Sequence, residues 1–251
     1  MPNLLLTIRY DGTRYHGWQV QKNALSIQAV LQEAIWKLFG EKMDIKGCSR
    51  TDAGVHANMY CVSFHAPFYP GEYHTLCAIN NALPEDIKAF RCEETDDDFH
   101  ARYSCVAKEY IYNIYNAKHE NPFVSKYSFH YKYPIDEKKL NTAASYFVGT
   151  HDFSSFCSAH SDVEDTVRTI YHCSVERSKD MVQIKICGDG FLYNMVRIIA
   201  GTLLDVAKGK IQEDDILQII TSANRKNAGK TLPANGLFLN KVFYVEVNLE
   251  S

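Results

Sequence analysis

The 251-residue chain has no long hydrophobic run, no excess of positive charge and no closely spaced cysteine pair. A membrane-spanning helix needs about 20 consecutive apolar residues, so we expect no contact with a membrane. The eight cysteines are at least 13 residues apart, which excludes a C-x-x-C motif for zinc or redox chemistry. A net charge of −3 argues mildly against a nucleic-acid partner, although it does not exclude a local basic groove.

The bulk composition is that of a globular protein, with 46% hydrophobic and 23% charged residues. The N-terminal residues lead directly into a strand pattern without the features of a signal peptide, and a chain of this size needs no disulfides to fold. We therefore expect a cytoplasmic protein with reduced thiols. Its length suggests one large or two small domains. The repeated rhythm of the patterns favours two packed halves with the boundary near Ser104, between residues 1–104 and 105–251.

Apolar periodicity predicts alternating strands and helices. The clearest helix begins after Ser26, a good N-cap, and ends at Gly40. The other predicted helices are 73–83, 136–147, 191–206 and 213–222, and the predicted strands are 4–10, 59–65, 87–93, 108–116, 166–177, 181–187 and 241–248. Strands and helices that follow one another in this way favour an α+β fold with helices packed on a sheet.

Two stretches resemble known functional motifs but lack a residue that each motif requires. Gly229-Lys230-Thr231 resembles the end of a phosphate-binding P-loop, but Asn224 stands where the first glycine is required. The stretch 151–155 contains His, Asp and Ser, yet it lacks the G-x-S-x-G turn of a hydrolase, so we interpret it as a helix cap or turn.

The most informative segment is residues 50–57, which read RTDAGVHA. In isolation, Asp52 could be a turn residue that hydrogen-bonds to its own backbone. A carboxylate on a loop next to a strand could equally serve catalysis, either by covalent attack, by stabilising charge or by accepting a proton.

Five separated blocks resemble the tRNA pseudouridine synthase A family, at residues 8–19, 50–57, 99–112, 191–204 and 233–237. The second block resembles the family's catalytic loop. The resemblance covers nearly the whole chain and implies two ferredoxin-like halves. In this fold the halves share a merged, mainly antiparallel sheet, with helices on the outer faces and a central cleft.

The resemblance also implies roles for individual residues. Asp52 would be the nucleophile, Arg197 its ion-pair partner, and Tyr110 the ring that stacks on the target base or assists proton transfer. Arg50, Arg102 and Leu237 would join Tyr110 in binding the substrate. The family's chemistry requires neither a metal nor a cofactor.

The implied reaction converts uridine into pseudouridine at positions 38, 39 and 40 of the tRNA anticodon stem-loop, in a homodimer whose two subunits contact one tRNA. The alternative is a non-catalytic RNA-binding module of the same fold. A glycoside hydrolase would need a second carboxylate at a fixed distance from the first, and the resemblance assigns a catalytic role to no acid besides Asp52. One departure is Ser49, which stands where the family usually has glycine; we expect some strain there if the site requires a positive φ.

Overall fold

A computed structural model describes residues 1–158 and 163–245. These residues form two compact units, the first comprising Met1–Val106 together with the last strand from Phe238, and the second comprising Ala107–Leu237. The last strand therefore belongs to the first unit, whereas the sequence interpretation placed it in a domain spanning 105–251.

The described elements are ten strands and five α-helices. The strands are β1 (Asn3–Tyr10), β2 (Lys46–Gly47), β3 (His56–His65), β4 (Ile87–Thr95), β5 (Ala107–Tyr115), β6 (Phe129–His130), β7 (Gly149–Asp152), β8 (Val167–Ser178), β9 (Met181–Gly188) and β10 (Leu237–Phe243). The α-helices are α1 (Ile27–Phe39), α2 (Glu72–Ala82), α3 (Glu137–Ser145), α4 (Met195–Ala207) and α5 (Ile216–Thr221).

In the first unit β1 lies between β3 and β4, antiparallel to both, and β2 pairs with the far edge of β3. This β4-β1-β3-β2 order is that of a βαββαβ unit with the two helices in the connections. Strand β10 adds a short parallel pairing to β3, through Phe238 and Leu239.

Helix α1 confirms the predicted caps. The Ser26 hydroxyl accepts a hydrogen bond from the Ala29 amide at 3.3 Å, and Gly40 ends the helix in the left-handed conformation with φ 78°. The apolar stripe that includes Ile27, Leu31 and Ile35 is buried, as its 3.6-residue spacing indicates.

In the second unit the strand order is β5-β9-β8-β7, with antiparallel pairings throughout, and β6 adds a short parallel pairing to β5. The α+β class with mainly antiparallel strands is thus confirmed. The hairpin of β8 and β9 was also predicted correctly, with its turn at Lys179.

Several element boundaries differ from the prediction, and three of the differences are informative. Helix α4 starts at Met195 and not at Phe191, because Asn194 takes a left-handed conformation that interrupts the helix. The predicted helix 213–222 consists of a 3-10 turn followed by α5. The last strand is Leu237–Phe243, earlier than the predicted 241–248, of which 246–248 lie outside the described residues.

All eight cysteines are free, and five of them are buried. Burial raises the thiol pKa of Cys61 to about 11 and that of Cys92 to about 12, so both remain protonated at neutral pH. These side chains behave as small apolar residues. Within the described ranges, no helix combines the length and the apolar character that crossing a membrane requires.

Helix α4 packs against the segment 229–232 with almost no space between the backbones. A Cβ atom on Gly201 would lie 1.9 Å from the Lys230 carbonyl oxygen, and one on Gly229 would lie 2.5 Å from the backbone of Gly201. The Gly229 amide donates a hydrogen bond to the buried Thr202 hydroxyl at 2.8 Å. Both glycines are required because this contact joins main chain to main chain.

We expect Gly201→Ala to lower the free energy of unfolding by about 3 kcal/mol or more, because the added methyl group must push α4 away from Lys230. Gly190→Ala is the matched control, since its Cβ would meet only the flexible Arg168 side chain at 3.2 Å. Urea unfolding followed by circular dichroism measures both variants. Equal loss of stability in the two would contradict the close-packing argument.

Candidate active site

The Asp52 side chain is half-buried on the loop that connects β2 to β3. The loop that follows β1, residues 11–18, lies directly against it. The Trp18 amide donates to the Thr51 carbonyl at 3.1 Å, and the Gly54 amide donates to the Tyr15 carbonyl at 3.1 Å. The main chain on both sides of Asp52 is therefore fixed by hydrogen bonds to a second loop.

Two glycines make this contact possible. A Cβ atom on Gly12 would lie 1.9 Å from the Val55 carbonyl oxygen, and one on Gly17 would lie 2.2 Å from the Thr51 carbonyl oxygen. Gly17 also has a φ of +85°, which side-chain-bearing residues rarely adopt. The Gly12 amide donates to His56 Nδ1 at 3.1 Å, so this imidazole supports the loop and does not face a substrate from that nitrogen.

Buried side chains strengthen the same contact. The Tyr10 and Thr51 hydroxyls are hydrogen-bonded at 2.8 Å. Tyr15 donates to Asp86 at 2.7 Å, and burial together with this bond raises the Tyr15 pKa to about 12, so it remains a donor at neutral pH. Each of these contacts reduces the freedom of the residues next to Asp52.

Ser49 does not carry the expected strain. The described residues other than glycine with positive φ are Asn23, Lys179, Asn194 and Ala223. Ser49 therefore occupies ordinary backbone space, and its carbonyl oxygen accepts a hydrogen bond from the Tyr60 hydroxyl. The condition for strain is not met, because the turn before Arg50 does not need the conformational freedom of glycine.

Beside the Asp52 loop, the first unit contains an open cavity of about 270 Å³. Arg50 and Arg102, predicted separately as substrate-binding residues, both line it and are exposed. Its other walls are mainly polar and aromatic: Trp18, Gln19, Gln28, Asp44, Ile45, Lys46, Gly47, Ser49, His100 and Tyr103. Cationic groups next to flat rings are the combination that binds nucleotides, through phosphate contacts and base stacking.

Tyr110 lies on β5 in the second unit and is only 6% exposed. Its ring contacts Phe191 edge to face, with 5.0 Å between the centroids. Two residues further along the same face of the strand, the buried Tyr112 donates a hydrogen bond to the Pro233 carbonyl at 2.8 Å. Burial raises the Tyr112 pKa, and the positive charge of Arg197 opposes that rise. The charge of Arg197 is thus near enough to Tyr112 to act on its pKa.

Arg197 is half-buried on α4, and two neighbouring groups orient its guanidinium. Nε donates to the Leu232 carbonyl at 2.7 Å, and Nη1 donates to Asn194 Oδ1 at 2.6 Å. The Asn194 amide in turn donates to the Ser158 hydroxyl at 2.9 Å. An arginine in an otherwise apolar helix is costly without such partners.

Comparisons with known proteins agree on one family. The sequence profile of a family described as tRNA pseudouridine synthase matches residues 6–104 and 143–245. A relative from Acetivibrio thermocellus, tRNA pseudouridine synthase A, is 49% identical over 97% of this chain and 100% of its own length. Proteins of the same name from Thermoanaerobacter sp. (strain X514) and Bacillus pumilus are 45% and 43% identical, over 97% and 95% of this chain and 100% and 97% of their own lengths.

The chain belongs to the tRNA pseudouridine synthase family. The assignment made from the sequence is confirmed, and with it the assignment to the isomerases that convert uridine into pseudouridine. The most specific sequence signal, residues 50–57, lies within the first matched range.

Within the first unit of this tRNA pseudouridine synthase, the structure brings Arg50 and Arg102 together at one cavity beside the Asp52 loop. Within the second, Tyr110 lies on β5 and Arg197 on α4, and the charge of Arg197 acts on Tyr112, two residues from Tyr110. Leu237 is buried at the start of β10. Sequence reasoning missed Asn194, whose only signal was a turn-forming residue directly before an apolar helix pattern.

We expect Gly17→Ala to lower pseudouridine formation by at least ten-fold, because the added methyl group displaces the Thr51 carbonyl and with it the Asp52 side chain. Gly40→Ala is the matched control. It carries the same left-handed penalty, with φ +78°, but no atom lies within 4 Å of the added carbon. Initial rates and melting temperatures of both variants separate loop displacement from general strain, and a similar loss of rate in both would contradict this explanation.

Proposed function

We propose that this enzyme isomerises uridines at positions 38, 39 and 40 in the anticodon stem-loop of tRNA, with Asp52 as the nucleophile. The observation that carries the proposal is the fixed, half-buried carboxylate loop beside an arginine-lined cavity. Exposed loop aspartates with a merely local role need no such bracing by a second loop.

In the proposed reaction Asp52 attacks C1′ of the ribose, and the bond from C1′ to N1 of uracil breaks with its electron pair going to the base. The uracil turns while it stays bound, and C5 then forms the new bond to C1′ as the carboxylate leaves. The C5 proton is removed and N1 gains one, so the product is an isomer of the substrate. Nothing is consumed, in keeping with an activity that needs no cofactor.

Tyr110 and Arg197 supply the surroundings of the base and of the carboxylate in this proposal. The Tyr110 ring is held edge to face by Phe191, so it offers a fixed surface for stacking, and its hydroxyl could assist movement of the C5 proton. Arg197, oriented by the Leu232 carbonyl and Asn194, would favour the ionised form of Asp52.

Substrate binding is assigned to Arg50, Arg102, Tyr110 and Leu237. Arg50 and Arg102 project from the cavity walls, where their guanidinium groups can contact phosphates on either side of the target nucleotide. A uridine in a stem must leave the base stack before its C1′ can be reached, and a cation in the vacated position stabilises the opened stem. Leu237 would provide an apolar contact for the uracil ring.

The partner in this proposal is tRNA, bound by a homodimer in the cytoplasm. Cysteines that form no disulfide fit a reducing compartment. The rival function is an RNA-binding module without chemistry, and the decisive difference between the two is whether Asp52 is needed for turnover or only for folding.

We expect Asp52→Asn to abolish turnover, because an amide neither attacks C1′ nor leaves again, while tRNA affinity stays within about three-fold of the wild type. Tritium release from a tRNA carrying [5-³H]uridine measures turnover, and filter binding measures affinity. Asp44→Asn, at the cavity rim but outside the catalytic loop, is the matched control and should keep most of the activity. Turnover by the Asp52→Asn protein would refute the nucleophile assignment.

A second prediction concerns the orientation of Arg197. Asn194→Gly keeps the left-handed backbone, φ 62°, but removes the 2.6 Å bond to the guanidinium. We expect about a ten-fold loss of kcat with little change in melting temperature. Asn194→Ala should lose a similar factor in kcat and in addition be less stable by about 1 kcal/mol, because alanine disfavours this conformation. Unchanged kcat in the glycine variant would show that Asn194 only ends the turn.

A further inference from the structure

A surface loop of the second unit, residues 116–134, exposes an unusual set of aromatic side chains. Phe123 is 88% exposed, Tyr133 is 57% exposed and Tyr127 is 39% exposed. Single apolar residues on a surface are common, but three exposed rings within one segment of 19 residues are not, and exposed apolar side chains gathered in this way are typical of interaction sites.

Hydrogen bonds to side-chain amides fix the conformation of the loop, so Phe123 is exposed on an ordered backbone. Asn121 accepts a hydrogen bond from the Phe123 amide at 3.0 Å. Asn235 donates to two carbonyls of the loop at 2.8 Å each, and Asn116 donates to two more at 2.7 Å. The apolar ring is therefore presented to solvent on a fixed support, which limits the conformational entropy lost on binding.

The same loop carries positive charge in an acidic protein. Lys118, Lys126 and Lys132 are all exposed, and Glu120 is the only acidic residue between positions 116 and 134. Across residues 1–158 and 163–245, none of these lysines forms an ion pair with a carboxylate. Lys132 instead lies with its ammonium 5.3 Å from the centre of the Tyr133 ring.

We infer that residues 116–134 form a second RNA-binding surface, on which Phe123 stacks against an unpaired base of the tRNA while the lysines contact the flanking phosphates. This inference rests on the proposed function, because it assigns the surface to the same substrate. Rings that alternate with cations on a fixed loop match the requirements of a flexible, polyanionic strand.

A second copy of this chain fits the surface less well. Lysine is depleted in protein–protein interfaces, and a two-fold contact would bring two positively charged loops face to face. An RNA strand supplies opposite charge and a stacking face at once. The observations therefore favour RNA.

The loop leaves β5 five residues beyond Tyr110, a distance of about 17 Å along the strand. Part of it turns back beside the strand, where the Asn113 side-chain amide donates to the Tyr127 carbonyl at 3.2 Å. In this inference the surface contacts a part of the tRNA other than the target uridine, so it should contribute to affinity for the whole molecule more than for a short stem-loop.

The experiment measures tRNA affinity of the full-length enzyme at several salt concentrations by filter binding. We expect Phe123→Ala and Phe123→Leu each to weaken tRNA binding by about ten-fold. Phe123→Trp should bind tRNA as the wild type does, because stacking needs a flat ring. Lys126→Gln should reduce the slope of log affinity against log salt by about one. Tyr73→Ala and Lys210→Gln, which alter exposed residues elsewhere, are the matched controls and should bind as the wild type does.

Each other outcome overturns the inference in a recognisable way. Normal binding by Phe123→Ala and Lys126→Gln would show that the loop does not contact RNA. If Phe123→Leu binds tRNA as tightly as the wild type and Phe123→Ala changes the sedimentation coefficient of the protein, the surface is a contact between copies of the chain. If wild-type protein fails to isomerise tRNA, the proposed function fails. If it isomerises tRNA while the Phe123 variants bind normally, only this inference fails.

Discussion

The position of Asp52 depends on a direct contact between the backbones of two loops. Gly12 and Gly17 let the loop after β1 approach the chain around Thr51 and Val55 closely enough for main-chain hydrogen bonds to form on both sides of the acid. A carboxylate placed in this way needs no long side chain to reach its working position. The entropy of ordering the loop is lost on folding and not during each catalytic cycle.

In the second unit, close packing of two backbone segments at glycines likewise fixes the position of Arg197. Gly201 and Gly229 bring α4 against the segment that contains Leu232, and the Leu232 carbonyl then accepts a hydrogen bond from Arg197. Arginine has a long side chain with many rotamers, so one carbonyl and one amide oxygen are needed to hold it in a single orientation. In both units, close backbone packing determines where a charged group lies, and this explains why the functional blocks are rich in glycine.

These contacts also explain which features could be predicted from the sequence. Helix α1 follows from local information, because its caps and its apolar stripe are all within the segment itself. The start of α4 cannot be predicted from local information. Phe191 and Leu192 fit the apolar period of the helix, but the left-handed backbone of Asn194 makes the helix begin only at Met195. The contact that fixes the Asp52 loop could not be predicted from the pattern either, because Gly12 and Val55 are far apart in sequence. Whether Ser49 is strained could not be predicted for a related reason, because the residue that a family usually has at one position does not fix the φ of that position.

The net charge of the chain argued against a nucleic-acid partner, and the distribution of charges in the structure explains why this argument is weak. The acidic residues Asp97 and Asp98 line a cavity that shares Lys46 and His100 with the cavity of Arg50 and Arg102. Charges of both signs thus lie close to one another, while at physiological ionic strength the potential decays over about 8 Å. A phosphate at the arginine side therefore responds to the nearest guanidinium groups and not to the total of −3. In the proposed role of the basic cavity, the acidic residues next to it would repel RNA phosphates that lie beside the cavity. The same charges that lower the pI would thus help to select one position of the RNA backbone.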